Sequence, residues 1–101
     1  MKSKVAILIP CHNEAVTIGK VIAEFKSAFP NAQIVVANNA SSDDTANIAR
    51  RAGADVIDEL RQGKGYAVTR LLSDVEADCY VLVDGDDTYL DRKSTRLNSS
   101  H

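Results

Sequence analysis

Short apolar runs recur along the chain, separated by charged or turn-forming residues. Continuous runs of aliphatic and β-branched residues are typical of strands buried on both faces of a parallel sheet. The pattern predicts four strands, at residues 5–9, 34–37, 55–58 and 79–83. Pro10 is expected to end the first strand, and the polar residues 38–42 are expected to form a loop after the second.

The segments between these strands carry apolar residues at the spacing of amphipathic helices. The first helix is predicted to begin near Ala15 or Thr17 and to end before Pro30. Its inward-facing residues are Ile18, Val21, Ile22, Phe25 and Phe29. A third helix is predicted after a loop at residues 59–64, with inward-facing Val68, Leu71, Leu72 and Val75.

The second helix has start and stop signals in the sequence. Ser41 or Ser42 is a natural N-cap, and Asp43 and Asp44 in the first turn would suit the positive end of the helix dipole. Gly53 supplies a left-handed stop. The inward-facing residues are Thr45, Ile48, Ala49 and Ala52.

The order of the predicted elements is βαβαβαβ with short connections. Such an order requires a parallel sheet with right-handed crossovers and helices on both faces, a Rossmann-like α/β fold. In the common strand order 3-2-1-4, the first and fourth strands are neighbours, and ligands bind outside their carboxyl ends. We therefore expect residues 10–14 to lie beside residues 84–87.

Composition and charge narrow the class of protein. The 101 residues allow one small domain, and the formal charge of −2 with scattered basic residues argues against a nucleic-acid surface. The longest apolar run, residues 5–10, is far shorter than the ~20 residues of a membrane helix. We expect a cytoplasmic protein in which Cys11 and Cys79 are reduced thiols, with any membrane association arising from sequence C-terminal to this chain.

The last residues differ in character from the rest of the chain. Residues 91–101 have no periodicity and match, at all eleven positions, the translation of a common short-read sequencing adapter. We expect a non-native tail here, and a natural sequence interrupted after Leu90. The alternative is a flexible terminus rich in serine, asparagine and arginine.

The fourth predicted strand runs directly into a cluster of carboxylates, Asp84-Gly-Asp86-Asp87. Carboxylates so close together repel one another unless a cation, a proton or a ligand holds them. Oxygen ligands suit Mg²⁺ or Mn²⁺, and Mg²⁺ is commonly shared between one or two carboxylates and substrate phosphates. The cluster therefore predicts a metal and diphosphate site at Asp84 and Asp86, with a plain turn after a strand as the alternative.

Other candidate motifs are weaker. Lys64 lies between two glycines at a predicted helix start, which suits a phosphate or base contact, although a solvated turn explains it nearly as well. Cys11, His12 and Cys79 lack the paired spacing of a zinc site. No Gly-X-Gly-X-X-Gly follows the first strand, which disfavours a dinucleotide cofactor.

Four segments in order resemble the family-2 glycosyltransferases of the GT-A fold. They are residues 9–14 (Ile-Pro-Cys-His-Asn-Glu), 38–45 (Asn-Asn-Ala-Ser-Ser-Asp-Asp-Thr), 63–65 (Gly-Lys-Gly) and 83–87 (Val-Asp-Gly-Asp-Asp). The likeness covers residues 4–90. It implies that residues 1–90 are the N-terminal, nucleotide-sugar-binding half of an inverting transferase that uses a UDP- or GDP-sugar.

The resemblance also implies roles for particular residues. The nucleotide-sugar would contact Pro10, His12, Glu14, Asn38, Asn39, Lys64 and Asp84. Asp84 and Asp86 would bind Mg²⁺ or Mn²⁺, and the catalytic base would lie beyond Leu90. The family usually has an aspartate where this chain has Asn38 and Asn39, so its base preference is open.

Two other interpretations remain at this point. A nucleotidylyltransferase has a related half-sheet and metal-binding carboxylates, but it would need a glycine-rich basic loop where this chain has residues 10–14. A non-catalytic phosphate-binding α/β module would keep the fold without binding a sugar donor. The acceptor, a lipid phosphate or a saccharide, is not indicated by the sequence.

Overall fold

The computed structural model describes residues 4–83, which form a parallel four-stranded sheet in the order β3-β2-β1-β4. The predicted fold class and strand order are confirmed. The elements are β1 (Val5–Cys11), α1 (Ala15–Ala28), β2 (Gln33–Asn39), α2 (Thr45–Arg51), β3 (Asp55–Glu59), α3 (Lys64–Asp74) and β4 (Cys79–Leu82).

The core lies on both faces of the sheet, because successive side chains of a strand point to opposite faces. Ile7 and Ile9 of β1 pack in one apolar cluster with α1 and α2, while Ala6 and Leu8 pack in a second cluster with α3. All four of these β1 side chains have no exposed surface. The continuous apolar run of β1 thus reflects burial on both faces, as predicted.

Pro10 does not end β1, which continues through Cys11. Pro10 pairs in register with Ala37 of β2, whereas β1 and β4 pair only as far as Leu8 and Leu82. The carbonyl of Leu8 accepts from Val83 N at 2.9 Å, so by the two-residue alternation Pro10 also faces the β4 side. A missing N–H is tolerated there, because the described ladder with β4 has already stopped.

The prediction that Phe29 and Leu72 face inward is wrong. Phe29 follows α1 as its C-cap, is 44% exposed and stacks on Phe25 with ring centroids 6.2 Å apart. Leu72 of α3 is 50% exposed, because this helix buries the narrower row of Ala67 and Leu71. The remaining residues of the α1 stripe, Ile18, Val21, Ile22 and Phe25, are buried as predicted.

The predicted start of α2 is also wrong. The helix begins at Thr45, with Asp44 rather than Ser41 or Ser42 at the N-cap position. Both serines precede the helix and contact Asn13 of the loop between β1 and α1. The stop is as predicted, since Gly53 has a φ of 101°.

β4 is less buried than the sequence suggests. Residues 80–83 are only half-buried and Cys79 is exposed. The reason is position, since β4 pairs only with β1 within the described sheet. Among residues 4–83, none of the helices has both the length and the apolar character needed to cross a membrane.

Candidate functional site

A cleft of about 320 Å³ opens at the carboxyl ends of β1 and β2, on the face of the sheet that α3 covers. Its volume is within the range of small-molecule sites. It is lined by Pro10, Cys11, His12, Glu14, Asn39, Gln62, Gly63, Lys64 and Ala67. The cleft lies at the carboxyl edge of the sheet, where open α/β sheets bind ligands, whereas the predicted switch point beside β4 involves residues 84–87, which lie outside the described residues.

Most of the site residues predicted from the sequence meet in this cleft. Its lining includes Pro10, His12, Glu14, Asn39 and Lys64. Their role in nucleotide-sugar binding stays a prediction, as no ligand contact tests it. The predicted metal ligands Asp84 and Asp86 lie outside the described residues.

Asn38 is not brought to the cleft. It precedes Asn39 in β2, so its side chain points to the opposite face of the sheet. There its amide nitrogen donates to Asp58 Oδ1 at 3.0 Å. The two neighbouring asparagines also belong to β2 rather than to the loop that the sequence predicts.

Asn13 fixes the β1–α1 loop against the loop after β2. Its side-chain oxygen accepts from Ser42 N at 2.7 Å and from Asp43 N at 3.3 Å, and its own N–H donates to Ser41 Oγ at 2.9 Å. Its φ of 53° lies in the left-handed region, which asparagine tolerates better than most residues. The two loops at the carboxyl edge are therefore held as one unit.

Asp43 strengthens the same connection by serving two helices. Its carboxylate accepts from the first N–H of α1, Ala15 N at 3.2 Å, and from the first N–H of α2, Thr45 N at 3.0 Å. It also accepts from the Thr45 hydroxyl, and that hydrogen bond is the main cause of a lowered pKa for Asp43. Thr45 Oγ1 in turn accepts from Glu14 N at 2.9 Å. A helix N-terminus favours such a negative charge.

The position of His12 is set by residues on both sides of its ring. Its Nδ1 lies 2.6 Å from the Asn39 carbonyl oxygen, and its Nε2 lies 3.3 Å from the side-chain nitrogen of Asn13. Because a carbonyl accepts and an amide nitrogen donates, we assign the neutral ring with its proton on Nδ1. In that form His12 orients its ring at the cleft without adding charge.

The far wall of the cleft is the segment between β3 and α3. Glu59 is only 3% exposed. Arg61 Nε donates to its Oε2 at 3.0 Å, and Arg61 Nη2 donates to its Oε1 at 3.0 Å. The backbone N–H of Arg61 also donates to Oε2, at 2.9 Å. The hydrogen bonds from Arg61 lower the pKa of Glu59 to about 2. The Arg61 guanidinium lies 4.5 Å from the centre of the Tyr66 ring, a favourable cation–π contact.

Gly63 and Lys64 stand where this segment turns into α3. Gly63 is the N-cap, with a φ of 137° that other residues rarely adopt, and Lys64 opens the helix. No acidic side chain occupies the first turn. The positive end of the helix dipole and the Lys64 ammonium therefore face the same side of the cleft, an arrangement that attracts an anion.

Cysteine and acidic side chains form no metal centre in the part of the chain that the structure describes. Across residues 4–83 there is no group of three His, Cys, Asp or Glu side chains that could hold an ion. Cys11 is buried at the end of β1 and Cys79 is exposed at the start of β4, and within the described residues neither forms a disulfide. Asp84 and Asp86, the predicted ligands of Mg²⁺ or Mn²⁺, are the first and third residues after Val83 in the sequence.

Several contributors to the site were not found by sequence reasoning. Gln62 and Ala67 line the cleft, and Glu59, Asn13 and Asp43 hold its walls. A signal existed only for Glu59, a carboxylate at the end of a strand with an arginine two residues later. The contacts by which Asn13 and Asp43 join the two loops span 28 to 30 residues, so no local pattern predicts these contacts.

Comparison with known proteins gives a consistent family. The model of the family described as glycosyl transferase family 2 matches residues 6–98. The protein RfbJ of Shigella flexneri is 52% identical over 85 residues, covering 84% of this chain and 66% of RfbJ. The glycosyltransferase AglJ of Haloferax volcanii is 37% identical over 95 residues, covering 92% of this chain and 31% of AglJ.

Solved structures support the same fold. The M. tuberculosis glucosyl-3-phosphoglycerate synthase in complex with uridine diphosphate superposes with a TM-score of 0.75 at 28% identity, covering 84% of this chain and 34% of that one. The same enzyme with Mn²⁺, UDP-glucose and phosphoglyceric acid gives a TM-score of 0.73, covering 82% and 33%. The chain therefore spans about a third of the length of these structures.

Proposed function

Since the chain belongs to glycosyl transferase family 2, we propose that it forms the donor-binding part of an inverting enzyme that transfers a sugar from a UDP- or GDP-sugar. The observation that carries the proposal is the cleft, where Lys64 and the N-terminal end of α3 face the loop after β1. Similar solved chains bind uridine diphosphate, which supports a nucleoside diphosphate as the ligand. The acceptor is proposed to be a lipid phosphate or a saccharide, at a cytoplasmic site.

The described residues suit the two ends of such a donor differently. Pro10 and Ala67 provide apolar surface, while His12 and Asn39 provide fixed polar groups. We assign the diphosphate to the Gly63–Lys64 end, because a helix N-terminus and an ammonium both stabilise phosphate charge. The base and ribose would then lie towards Pro10 and His12.

The metal belongs to the same proposal. Asp84 and Asp86 would hold Mg²⁺ or Mn²⁺, which when bound would stabilise negative charge on the leaving diphosphate. The similar synthase has been solved with Mn²⁺ and with Mg²⁺. The part played by residues 4–83 is to bind and orient the donor. None of these residues is assigned as the base that deprotonates the acceptor.

The test is an equilibrium titration of the 101-residue chain with UDP and with GDP, each with and without Mn²⁺. We expect metal-dependent binding that Lys64→Ala weakens by about tenfold, because a charge-assisted hydrogen bond contributes roughly 1.5–3 kcal/mol. Lys20→Ala removes the same charge from an exposed position on α1 and should leave the affinity unchanged.

Variants of the carboxylates test the metal separately. Asp84→Ala and Asp86→Ala should each weaken the Mn²⁺-dependent part of UDP binding. Normal metal-dependent binding in both variants would contradict the metal assignment. A folded chain that binds neither nucleotide would contradict the proposed function and favour a non-catalytic module.

A further inference from the structure

Asn39 is a polar side chain buried at the boundary between the core and the cleft. It is the last residue of β2 and only 5% exposed. Its side-chain nitrogen donates to two backbone carbonyls, Glu59 O at 3.1 Å and Arg61 O at 2.6 Å. Its side-chain oxygen accepts from Gly63 N at 2.9 Å. The three partners run from the last residue of β3 to the N-cap of α3.

These contacts fix the chemical identity of the side chain. The two carbonyls need donors and Gly63 N needs an acceptor, and a single primary amide supplies both. The same contacts fix the orientation of the amide, because a flipped group would place its oxygen against two carbonyl oxygens. Both N–H groups are used within the chain, so Asn39 has no donor left for a nucleotide base.

We propose that Asn39 is a positioning residue whose amide holds the β3–α3 segment against β2, and so keeps Gly63 and Lys64 in the wall of the cleft. Three hydrogen bonds converge on it from positions 59, 61 and 63. The Glu59–Arg61 ion pair is a contact within this part of the chain, whereas the side chain of Asn39 bonds it to β2. The backbone carbonyl of Asn39 also accepts a hydrogen bond from His12, so residues on both sides of the cleft are bonded to Asn39.

The proposal predicts that an aspartate at position 39 would be unfavourable. A carboxylate would be a better acceptor than an amide for a base N–H. In this chain a carboxylate at position 39 would face the Glu59 and Arg61 carbonyls with no hydrogen to donate. Asn39→Asp should therefore loosen the wall.

The first measurement needs no variant. Exchange of the side-chain amide protons of Asn39 in the 101-residue chain is compared by NMR with that of Asn47, which is exposed on α2. We expect exchange at least about tenfold slower at Asn39, because two buried hydrogen bonds must open first. Equal exchange rates at the two residues would overturn the proposal even if every variant failed to fold.

The second measurement compares Asn39→Asp with Asn47→Asp, which introduces the same charge on the surface. Backbone hydrogen exchange at Gly63 and its neighbours should lose about tenfold or more of its protection in Asn39→Asp and none in Asn47→Asp, since buried carbonyls lose their donors. Unchanged protection in Asn39→Asp would contradict the proposal.

A pH series separates positioning from a general loss of packing. In Asn39→Asp the lost protection should return partly at low pH, because a protonated carboxyl regains one donor for a carbonyl. The wild-type chain at the same pH values is the control for the ionisable side chains on and beside these segments, which are His12, Glu14, Asp58, Glu59, Arg61 and Lys64. A defect of the same size at every pH would indicate a packing role and overturn the proposal.

The consequence for nucleotide affinity rests on the proposed function. If UDP binds, Asn39→Asp should bind it about tenfold more weakly than Asn47→Asp does, through displacement of Lys64. Tighter binding by Asn39→Asp would mean that base contact dominates, against the positioning role. If no variant binds UDP, the proposed function fails, while the exchange experiments still decide the role of Asn39.

Discussion

Glu59 shows how one buried carboxylate can order a loop beside a binding cleft. It receives two side-chain contacts and one backbone N–H from Arg61, only two residues away. The bidentate geometry suits the planar guanidinium, which also lies on Tyr66. A lysine at position 61 would keep the charge but lose the paired contacts and much of the stacking.

The ionisation of Glu59 predicts a pH dependence of stability. Its folded pKa of about 2 lies below the usual value of 4.5 for a glutamate, so its ionised form stabilises the fold above pH 4.5. That contribution should be lost as pH falls from 4.5 towards 2. Glu59→Gln lacks it, and its unfolding midpoint in urea should approach that of the wild type over this range.

Glu76→Gln is the matched control, because Glu76 is exposed. Its midpoint should follow the wild-type curve at each pH. If the difference between Glu59→Gln and the wild type stayed constant from pH 7 to pH 2.5, the ion pair with Arg61 would not be the source of the stability.

Residue roles were predictable only where a local pattern or the family resemblance marked them. Pro10, His12, Glu14, Asn39 and Lys64 were all predicted, and all line the cleft. The hydrogen bonds that position these side chains could not be predicted, because they join loops that are far apart in the sequence. Asn38 was predicted together with Asn39 from the family resemblance, but strand alternation turns its side chain to the other face.

At the scale of elements, apolar runs predicted every described strand, and helical periodicity predicted every described helix. Boundaries were less predictable, since they depend on tertiary contacts. Pro10 stays in β1 because its missing N–H falls beyond the described ladder with β4. Ser41 and Ser42 do not cap α2 because Asn13 engages them, and Asp43 takes over part of the capping.

The start of α3 depends on Gly63, which gives a prediction with a matched control in the same helix. A Cβ at position 63 would meet Tyr66 Cδ2 at 3.2 Å, and the φ of 137° is itself strained for other residues. Gly63→Ala should destabilise the fold by about 1–3 kcal/mol. At Gly65 no atom lies within 4 Å of such a Cβ, and Gly65→Ala should stabilise α3 by about 0.5–1 kcal/mol.

Urea unfolding of the 101-residue chain measures both changes. Opposite signs for two glycine-to-alanine substitutions two residues apart would identify the backbone conformation of Gly63 as the cause. If Gly63→Ala were as stable as the wild type, the turn into α3 would not require the left-handed conformation.

For the molecule as a whole, the sheet topology was more informative about the location of the site than any single motif. The order 3-2-1-4 places the ends of β1 and β2 at one edge, and the cleft lies there. The physical reason is that parallel strands place their carboxyl ends, and the loops that follow them, at one edge of the sheet, where ligands bind. The complete set of site residues could not be predicted in detail, because the chain spans only 31% of AglJ and 66% of RfbJ.

The last prediction concerns how stability is distributed over the sheet. β1 has partners on both sides and fully buried side chains from Ala6 to Ile9, whereas β4 has one described partner and half-buried side chains. Regions with few buried contacts open at lower free energy than the core. Amide protons of β4 should therefore exchange at least about tenfold faster than those of β1, a difference of about 1.4 kcal/mol in opening free energy.

Native-state hydrogen exchange at neutral pH measures this directly, with β3 as the internal comparison. β3 is the other edge of the described sheet, yet Glu59 anchors its end by the ion pair with Arg61. Its amides should therefore fall between those of β4 and β1. Because an edge strand can pair with a second chain, and β4 has one partner within the described sheet, β4 exchange should slow as protein concentration rises. Uniform, concentration-independent exchange over all four strands would mean that β4 is as firmly held as the core.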